Sequence, residues 1–478
     1  MFITVPVMAV GENTTIVASG ICGEDATWSL DSEGVLIIDG TGRIDDCIAY
    51  QEYSNDIKSV IMEDGITSMV MNAFRNCKNL TSVKLSENLT EISYGAFFGC
   101  KNLSGEVVIP DSVEIIERNA FYNCGNVESL VLGKGLKEID GPSGQEPFGW
   151  MSSVRKVTFR GNVVPEDMVG GRIFASMNDL EAVYVPAEVY GAYAEKYRNY
   201  IRDAKILVDS PEEMVIYEGV LVLYNGSETE VKIPDTVEAI GSFAFFNKRD
   251  KIEKIELGSN TKIIQPYSFE ECSNLKNVLF NDALEQLGDS AFKNCDAITQ
   301  IVLSNVTMSG EKVFYDCDKL DTVVLGNLRN IGKGMFYDCD MLSQVDIGKA
   351  TIIGESAFEG CKNLPAMFPL DNVTRIGYRA FRDCCGMIGE LVIPDSVTEI
   401  NAYAFQNCSN IESITIGKGL KEIDGYSHDF PFVGMAGVKT ITFQSDIVPP
   451  FHVSNIFETM GELETIYIPS KGVKDYFW

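Results

Sequence analysis

Residues 96–121 read AFFGCKNLSGEVVIPDSVEIIERNAF and hold one complete copy of a motif that recurs along the chain. Phenylalanine returns in this frame fifteen times, at intervals of 22 to 27 residues apart from one gap between Phe174 and Phe245. Cysteine follows the phenylalanine by three residues in ten copies, and methionine does so in four. Because one such unit cannot bury its own apolar side chains, the spacing predicts stacked units that bury them between neighbours.

Each part of the motif has a local structural reason. The aliphatic side chains of Leu80, Val83 and Leu85 alternate towards the end of their segment, as in a half-buried strand. Pro110 closes the next such strand, where a missing N–H does no harm. Asn79 lies in the turn before the strand, where asparagine tolerates tight geometry. The Ala-Phe segment then crosses back as a short helical or irregular turn.

These features together predict the fold class. We expect an α/β solenoid, a right-handed superhelix of about 15 repeats of 22 to 27 residues. Each repeat should contribute one short strand to the concave face, and the convex side should contain little regular helix.

The pattern N-L-x-x-V-x-I-P-x-x-V-x-x-I-G-x-x-A-F-x-x-C resembles the BspA-like class of leucine-rich repeats. The resemblance covers about residues 55 to 470. It implies a leucine-rich-repeat fold and a place among the surface proteins of gut and oral bacteria and of some mucosal protozoa. It implies no particular ligand, since a shared fold does not define a function.

Four segments follow from the pattern. Residues 1–10, MFITVPVMAV, resemble the end of a secretory signal peptide without its basic region, although an ordinary buried strand also fits. Residues 11–55 are expected to form an N-terminal β-hairpin cap. Residues 56–208 should form a first repeat array that ends in a tyrosine-rich helix at 187–204. Residues 209–478 should contain a restart hairpin and the second array.

The two arrays share a duplicated ending. Residues 108–141 and 392–425 align without a gap, and both contain VIPDSV and GKGLKEIDG. The first copy runs on into the tyrosine-rich segment, whereas only SKGVKDYFW follows Pro469 in the second. Two interpretations stay open: the second ending is a truncated cap, or the native chain continues beyond Trp478.

Composition narrows the partners and the location. The formal charge of −30 repels phosphate backbones, so we expect no nucleic-acid partner. No stretch reaches the roughly 18 to 20 apolar residues that span a bilayer, so no transmembrane segment is expected. The signal-like start and the resemblance together favour an extracellular or cell-surface location.

The cysteines fit a core position better than a reactive one. Ten of the thirteen occupy the slot that methionine takes in other copies, which is typical of a buried apolar position. We therefore expect free buried thiols rather than a disulfide ladder. Cys22 and Cys47 lie outside the frame and could pair in a secreted protein.

Enzymatic chemistry has little support in the sequence. The only two histidines are His428 and His452, and neither has a counterpart in the first array. No C-x-x-C, H-E-x-x-H, P-loop or G-x-S-x-G motif occurs. We predict a protein with no catalytic residue, no cofactor and no metal site.

The candidate ligand surface comprises outward strand residues and two loop inserts. The strands supply Lys84, Lys156, Tyr184 and Tyr467, and the inserts at 141–150 and 425–436 supply Trp150 and Tyr426. The leading hypothesis is adhesin-like binding of a host or bacterial macromolecule. The first alternative is binding of carbohydrate, such as mucin glycans, on the exposed aromatic residues. The second is a passive structural spacer.

Overall fold

The chain is a solenoid of about 17 turns with little helix, which confirms the predicted fold class. A computed structural model describes residues 14–46, 48–140, 145–167, 172–201, 204–423, 430–445 and 459–469. The turns fall into two compact units, Met1–Pro211 and Glu212–Trp478.

The first unit begins with a three-stranded antiparallel cap formed by Ile16–Ile21, Asp25–Asp31 and Val35–Ile44. The last of these strands starts both parallel ladders of the solenoid. Its first half pairs with Ser59–Met62, and its second half pairs with Ile66–Met69. The cap therefore satisfies the backbone of the first turn instead of leaving an open edge.

One strand from nearly every turn contributes to a parallel main sheet. In the first unit these strands are Ser59–Met62, Ser82–Lys84, Ser104–Val108, Asn126–Leu132, Lys156–Phe159, Ala182–Tyr184 and Lys205–Leu207. In the second unit they are Glu230–Lys232, Lys254–Glu256, Asn277–Leu279, Gln300–Val302, Thr322–Val324, Gln344–Asp346, Gly389–Ile393, Ile411–Ile416, Thr440–Phe443 and Thr465–Tyr467.

The structure adds a second strand to most turns, which the sequence pattern does not reveal. In the first unit these short strands are Ile66–Met69, Glu91–Ile92, Ile115–Ile116, Glu138–Ile139 and Glu166–Asp167. In the second unit they are Ala239–Ile240, Ile263–Ile264, Gln286–Leu287, Met308–Ser309, Asn330–Ile331, Ile352–Ile353, Arg375–Ile376, Glu399–Ile400 and Glu422–Ile423. They pair in parallel from turn to turn, so two ladders join successive turns.

Stacked phenylalanine rings run through the core of each unit. Phe74, Phe97 and Phe121 lie at centroid distances of 5.2 and 5.0 Å, with nearly parallel planes. A tyrosine begins each stack: Tyr50 lies 5.7 Å from Phe74, and Tyr224 lies 5.3 Å from Phe245. A frame based on phenylalanine alone misses these two starting positions. Phe457, the last predicted position, lies outside the described residues.

The phenylalanine turn has its own backbone geometry. Residues two before and two after the phenylalanine often adopt positive φ, as Asn72 and Asn76 do at 60° and 59°. This conformation directs three N–H groups of a turn towards carbonyls of the next turn. Asn72, Phe74 and Asn76 donate to Tyr94, Ala96 and Phe98 at 2.7 to 2.8 Å. The turns are thus hydrogen-bonded to one another outside the two sheets as well.

Helices are few among the described residues. Two α-helices occupy Ile48–Gln51 and Tyr190–Tyr197, and 3-10 turns occupy Arg172–Phe174, Ala187–Val189 and Phe246–Lys248. The tyrosine-rich helix is shorter than the segment 187–204 that suggested it. Its Tyr193 and Tyr197 pack on Phe159 and cover the core at the end of the first unit.

The second unit opens with an antiparallel hairpin, Met214–Tyr217 with Val220–Tyr224, whose second strand pairs with Ala239–Ile240. Residues 365–369 later interrupt its main sheet. Pro365 and Pro369 have no N–H to donate to a ladder. Phe368 nevertheless packs into the core, 5.0 Å from Phe358, whereas Met367 is 92% exposed.

Candidate functional site

The outward face of the main sheet in the first unit carries residues that the core does not require. Lys156 is in register with Ser129 and Ala182, and Ala182 is in register with Lys205. Two strand spacings separate Lys156 from Lys205, which places their Cα atoms about 9.6 Å apart. Both lysines are exposed, so their ammonium groups share one face.

Among the predicted site residues that the structure describes, Lys156 and Tyr184 form the one direct contact. The Lys156 Nζ lies 4.4 Å from the centroid of the Tyr184 ring on the adjacent strand. A cation–π contact at an exposed site contributes about 0.5 to 1 kcal/mol, enough to bias the orientation of both side chains. We call Lys156, Tyr184 and Lys205 the lysine–tyrosine face.

The charges of this face are not neutralised locally. Lys156 and Lys205 form no ion pair with any described residue, and Glu106, the acidic residue nearest in register, accepts from Ser129 at 3.3 Å. In the second unit, Lys232 pairs across strands with Glu256 at 2.7 Å. That hydrogen bond raises the pKa of Lys232 above its ordinary value. The lysine–tyrosine face therefore has unpaired positive charge on an acidic protein.

The other predicted site residues lie apart from this contact. Lys84 is exposed on the same main sheet, three turns before Lys156. Trp150 follows Phe148 in a phenylalanine turn, with φ of 60° and 67% exposure, and not on a main-sheet strand. Tyr467 is 57% exposed on the main sheet of the second unit. Tyr426 lies outside the described residues, as does part of each loop insert.

The framed cysteines are free and buried. Each of eight thiols donates to the carbonyl of the phenylalanine one turn earlier, as Cys100 does to Phe74 and Cys339 to Phe314, at 3.0 to 3.3 Å. Burial raises the pKa of the Cys124 thiol to about 12. Since the thiolate is the nucleophile, these cysteines are core residues and not reactive ones.

Two cysteines differ from this group. Cys22 is a free buried thiol in the cap, and burial raises its pKa to about 11. Cys47, its suggested partner, lies outside the described residues. Cys385 is exposed beside the framed Cys384.

No group of three or more His, Cys, Asp or Glu side chains is arranged to hold a metal ion in the described part of the chain. His428 and His452 both lie outside that part. Among the described helices, none has the length and apolar character needed to cross a membrane.

The sequence pattern of the BspA type leucine rich repeat region matches the chain in six copies, over residues 48–164, 221–343 and 329–449. The chain belongs to the BspA-type leucine-rich-repeat family. These matches include the strands that carry Lys84 and Lys156, and they begin at the turn of Tyr50. No curated protein sequence matches the chain.

Several solved structures resemble this BspA-type chain. A leucine-rich repeat protein from Bacteroides ovatus is 22% identical, with 93% of this chain and 99% of that chain covered and a TM-score of 0.41. One from Eubacterium ventriosum is 18% identical, covering 91% and 97%, with a TM-score of 0.31. A leucine rich cell surface protein from Faecalibacterium prausnitzii is 18% identical, covering 76% and 92%, with a TM-score of 0.32.

Proposed function

We propose that this protein is a secreted or cell-surface leucine-rich-repeat protein that binds a macromolecular ligand through the lysine–tyrosine face. The observation that carries the proposal is the contact of Lys156 with Tyr184 beside a second lysine, Lys205, where neither lysine has an ion-pair partner among the described residues. Tyrosine is among the residues that contribute most of the binding energy at protein interfaces, and positive charge steers an acidic partner to the surface. The surface location rests on the family resemblance and on the signal-like residues 1–10.

We also propose that the role is not enzymatic. The framed thiols lack the lowered pKa that a nucleophile needs, and their hydrogen bonds to phenylalanine carbonyls already occupy them. A rigid stack of turns whose exposed side chains differ from turn to turn suits ligand binding without a chemical reaction.

The duplicated module supplies a matched control for this face. Thr440 stands in the second unit where Lys156 stands in the first, and Tyr467 is the aromatic residue of the following strand. The second face thus has the tyrosine without the lysine. A ligand that needs both should prefer the first unit.

The test is a binding assay against immobilised extracellular-matrix proteins and mucin. The wild-type chain should bind at least one of them, and the double variant K156A/Y184A should bind it about ten-fold more weakly, a loss of roughly 1.4 kcal/mol. The control variant T440A/Y467A should bind as the wild type does. No binding by the wild type well above about micromolar concentration, or equal losses in both variants, would contradict the proposal.

A further inference from the structure

The first unit has an open cleft of about 350 Å³ where its short strands lead into the phenylalanine turns. This volume lies at the lower end of the range of small-molecule sites. The side chains that line it come from three successive turns and the insert after them. They are Met71, Tyr94, Glu117, Arg118, Asp140 and Gln145.

Backbone hydrogen bonds between turns fix the cleft. The Tyr94 N–H donates to the Glu117 Oε2 at 2.5 Å, and the Gly95 N–H donates to the Arg118 carbonyl at 3.2 Å. The Asn119 N–H donates to the Gln145 carbonyl at 3.1 Å. These hydrogen bonds hold the residues of the cleft on a rigid support, so ligand binding would cost little conformational entropy.

The polar side chains of the cleft have unused hydrogen-bonding capacity. Arg118, Asp140 and Gln145 form no side-chain hydrogen bond or ion pair with other described residues, and Glu117 uses one oxygen only. Other charged side chains of this unit pair across turns, as Lys137 does with Glu114 at 2.7 Å. Three polar side chains without a partner among the described residues, together with the second oxygen of Glu117, can fix the orientation of a bound ligand.

The mixture of groups indicates the class of ligand. Guanidinium supplies only donors, carboxylate only acceptors, and an amide supplies both, so the ligand must present many groups that donate and accept. Tyr94 adds an aromatic ring, and the Arg118 Cζ lies 5.9 Å from the centroid of this ring. Charges of both signs disfavour a simple anion or cation, and four charged or polar side chains among the six that line the cleft disfavour a lipid.

We propose that this cleft binds one pyranose ring of a neutral glycan. Neighbouring ring hydroxyls pair with the Asp140 carboxylate, the Gln145 amide and the Arg118 guanidinium, and the C–H face of the ring packs on Tyr94. The site is separate from the lysine–tyrosine face and does not depend on it. It also differs from the exposed aromatic residues that the sequence suggests for glycans, since it is built mainly from polar side chains.

The duplicated ending provides a natural comparison. Tyr378 corresponds to Tyr94, but Asn401 and Ala402 replace Glu117 and Arg118. In the second copy the arginine near the tyrosine ring is Arg379, which comes from the same turn as Tyr378. Its Cζ lies 4.7 Å from the centroid of the Tyr378 ring. The substitution R118A introduces the residue that the chain itself carries at the equivalent position, where Ala402 is 6% exposed, so we expect the variant to fold.

The experiment is saturation-transfer difference NMR of the full chain with methyl α-D-mannopyranoside, methyl β-D-galactopyranoside, N-acetylglucosamine and L-fucose. At least one sugar should give a signal with a Kd of about millimolar, as expected for one ring in an open cleft. R118A and Q145A should each weaken that signal several-fold, and Y94A should remove it. Y217A, which truncates a tyrosine that is 42% exposed in the second unit, should leave it unchanged.

Three results would overturn the assignment. The first is no signal from any of the four sugars, and the second is a signal that survives both R118A and Y94A. The third is saturation transfer to L-arginine or acetate in place of the sugars, since this would identify an ionic site. The variant K156A should keep sugar binding whatever it does to macromolecular binding, so the two proposals fail independently.

Discussion

Replacing Phe314 by alanine should destabilise the second unit more than any surface change. Its ring is completely buried and stacks between Phe292 and Phe336 at 5.3 and 5.6 Å, with interplanar angles of 12° and 5°. Truncation of a buried phenylalanine to alanine costs about 3 to 5 kcal/mol. The lost interactions include two ring pairs of about 0.5 to 1.5 kcal/mol each. We therefore expect F314A to lie in the upper part of this range, with a loss of about 4 to 5 kcal/mol.

The assay is urea denaturation followed by far-UV circular dichroism. F314L keeps most of the volume and should lose only about 1.5 kcal/mol. The control is Y315A, which removes the neighbouring half-exposed ring that stacks on Tyr337 at 4.6 Å and should lose about 1 kcal/mol. If F314A and Y315A lose equal amounts, the phenylalanine stack is not the core that joins the turns. The reasoning would then be refuted.

Three further outcomes follow from the described contacts. In the native protein a thiol reagent should react at exposed Cys385 and not at the framed cysteines. The variant C385S should therefore lose one fast-reacting thiol. An undiminished fast phase would contradict the burial of the framed cysteines. C339A should lower the free energy of unfolding by about 1 to 3 kcal/mol in urea denaturation, because it leaves the Phe314 carbonyl without the thiol donor. A loss near zero would show that this hydrogen bond does not stabilise the fold. Partial burial raises the pKa of Asp316 and of Asp338, and neighbouring carboxylates raise it further. At pH values between the ordinary and the raised pKa, the folded state therefore binds more protons than the unfolded state. Stability contributed by these groups should therefore increase as pH falls through the raised pKa towards the ordinary value of 3.8. D316N should be more stable than the wild type at neutral pH by about a few tenths of a kcal/mol, with a flatter pH profile, and a variant that is less stable at neutral pH would contradict this sign.

The fold could be predicted because its main determinants repeat. Phenylalanine at intervals of 22 to 27 residues and the Cys or Met three residues later mark the same interior positions in every turn. Strand alternation then places the main sheet. These signals depend on burial, which restricts residue type strongly.

Other features of the fold escape a sequence pattern for physical reasons. The short strands have only two residues in most turns, so no period can be read from them. The positive-φ positions are occupied by Asn, Gly, Asp, Ser and Lys alike, as at Ser290 and Lys312, because the bonds between turns impose the conformation. Tyr50 and Tyr224 begin the stacks with tyrosine in place of phenylalanine, so a frame based on phenylalanine does not include them.

Only part of the candidate sites could be predicted from the sequence. Lys156 and Tyr184 lie 28 positions apart, and the repeat length correctly places them on adjacent strands. The unpaired state of Lys156 could not be predicted, since it depends on which acidic side chains face it. The sequence pattern does not reveal the cleft beside Tyr94, because common surface residues from several turns line it.

Lysine acetylation footprinting tests the central claim most directly. The chain is treated with a dilute acetylating reagent, alone and saturated with whichever matrix protein or mucin it binds, and each lysine is quantified by mass spectrometry. The account predicts that ligand lowers the reactivity of Lys156 and Lys205 about several-fold, as burial of an interface requires, and leaves Lys232 and Lys254 unchanged. Protection of Lys232 and Lys254 with Lys156 still reactive would contradict it.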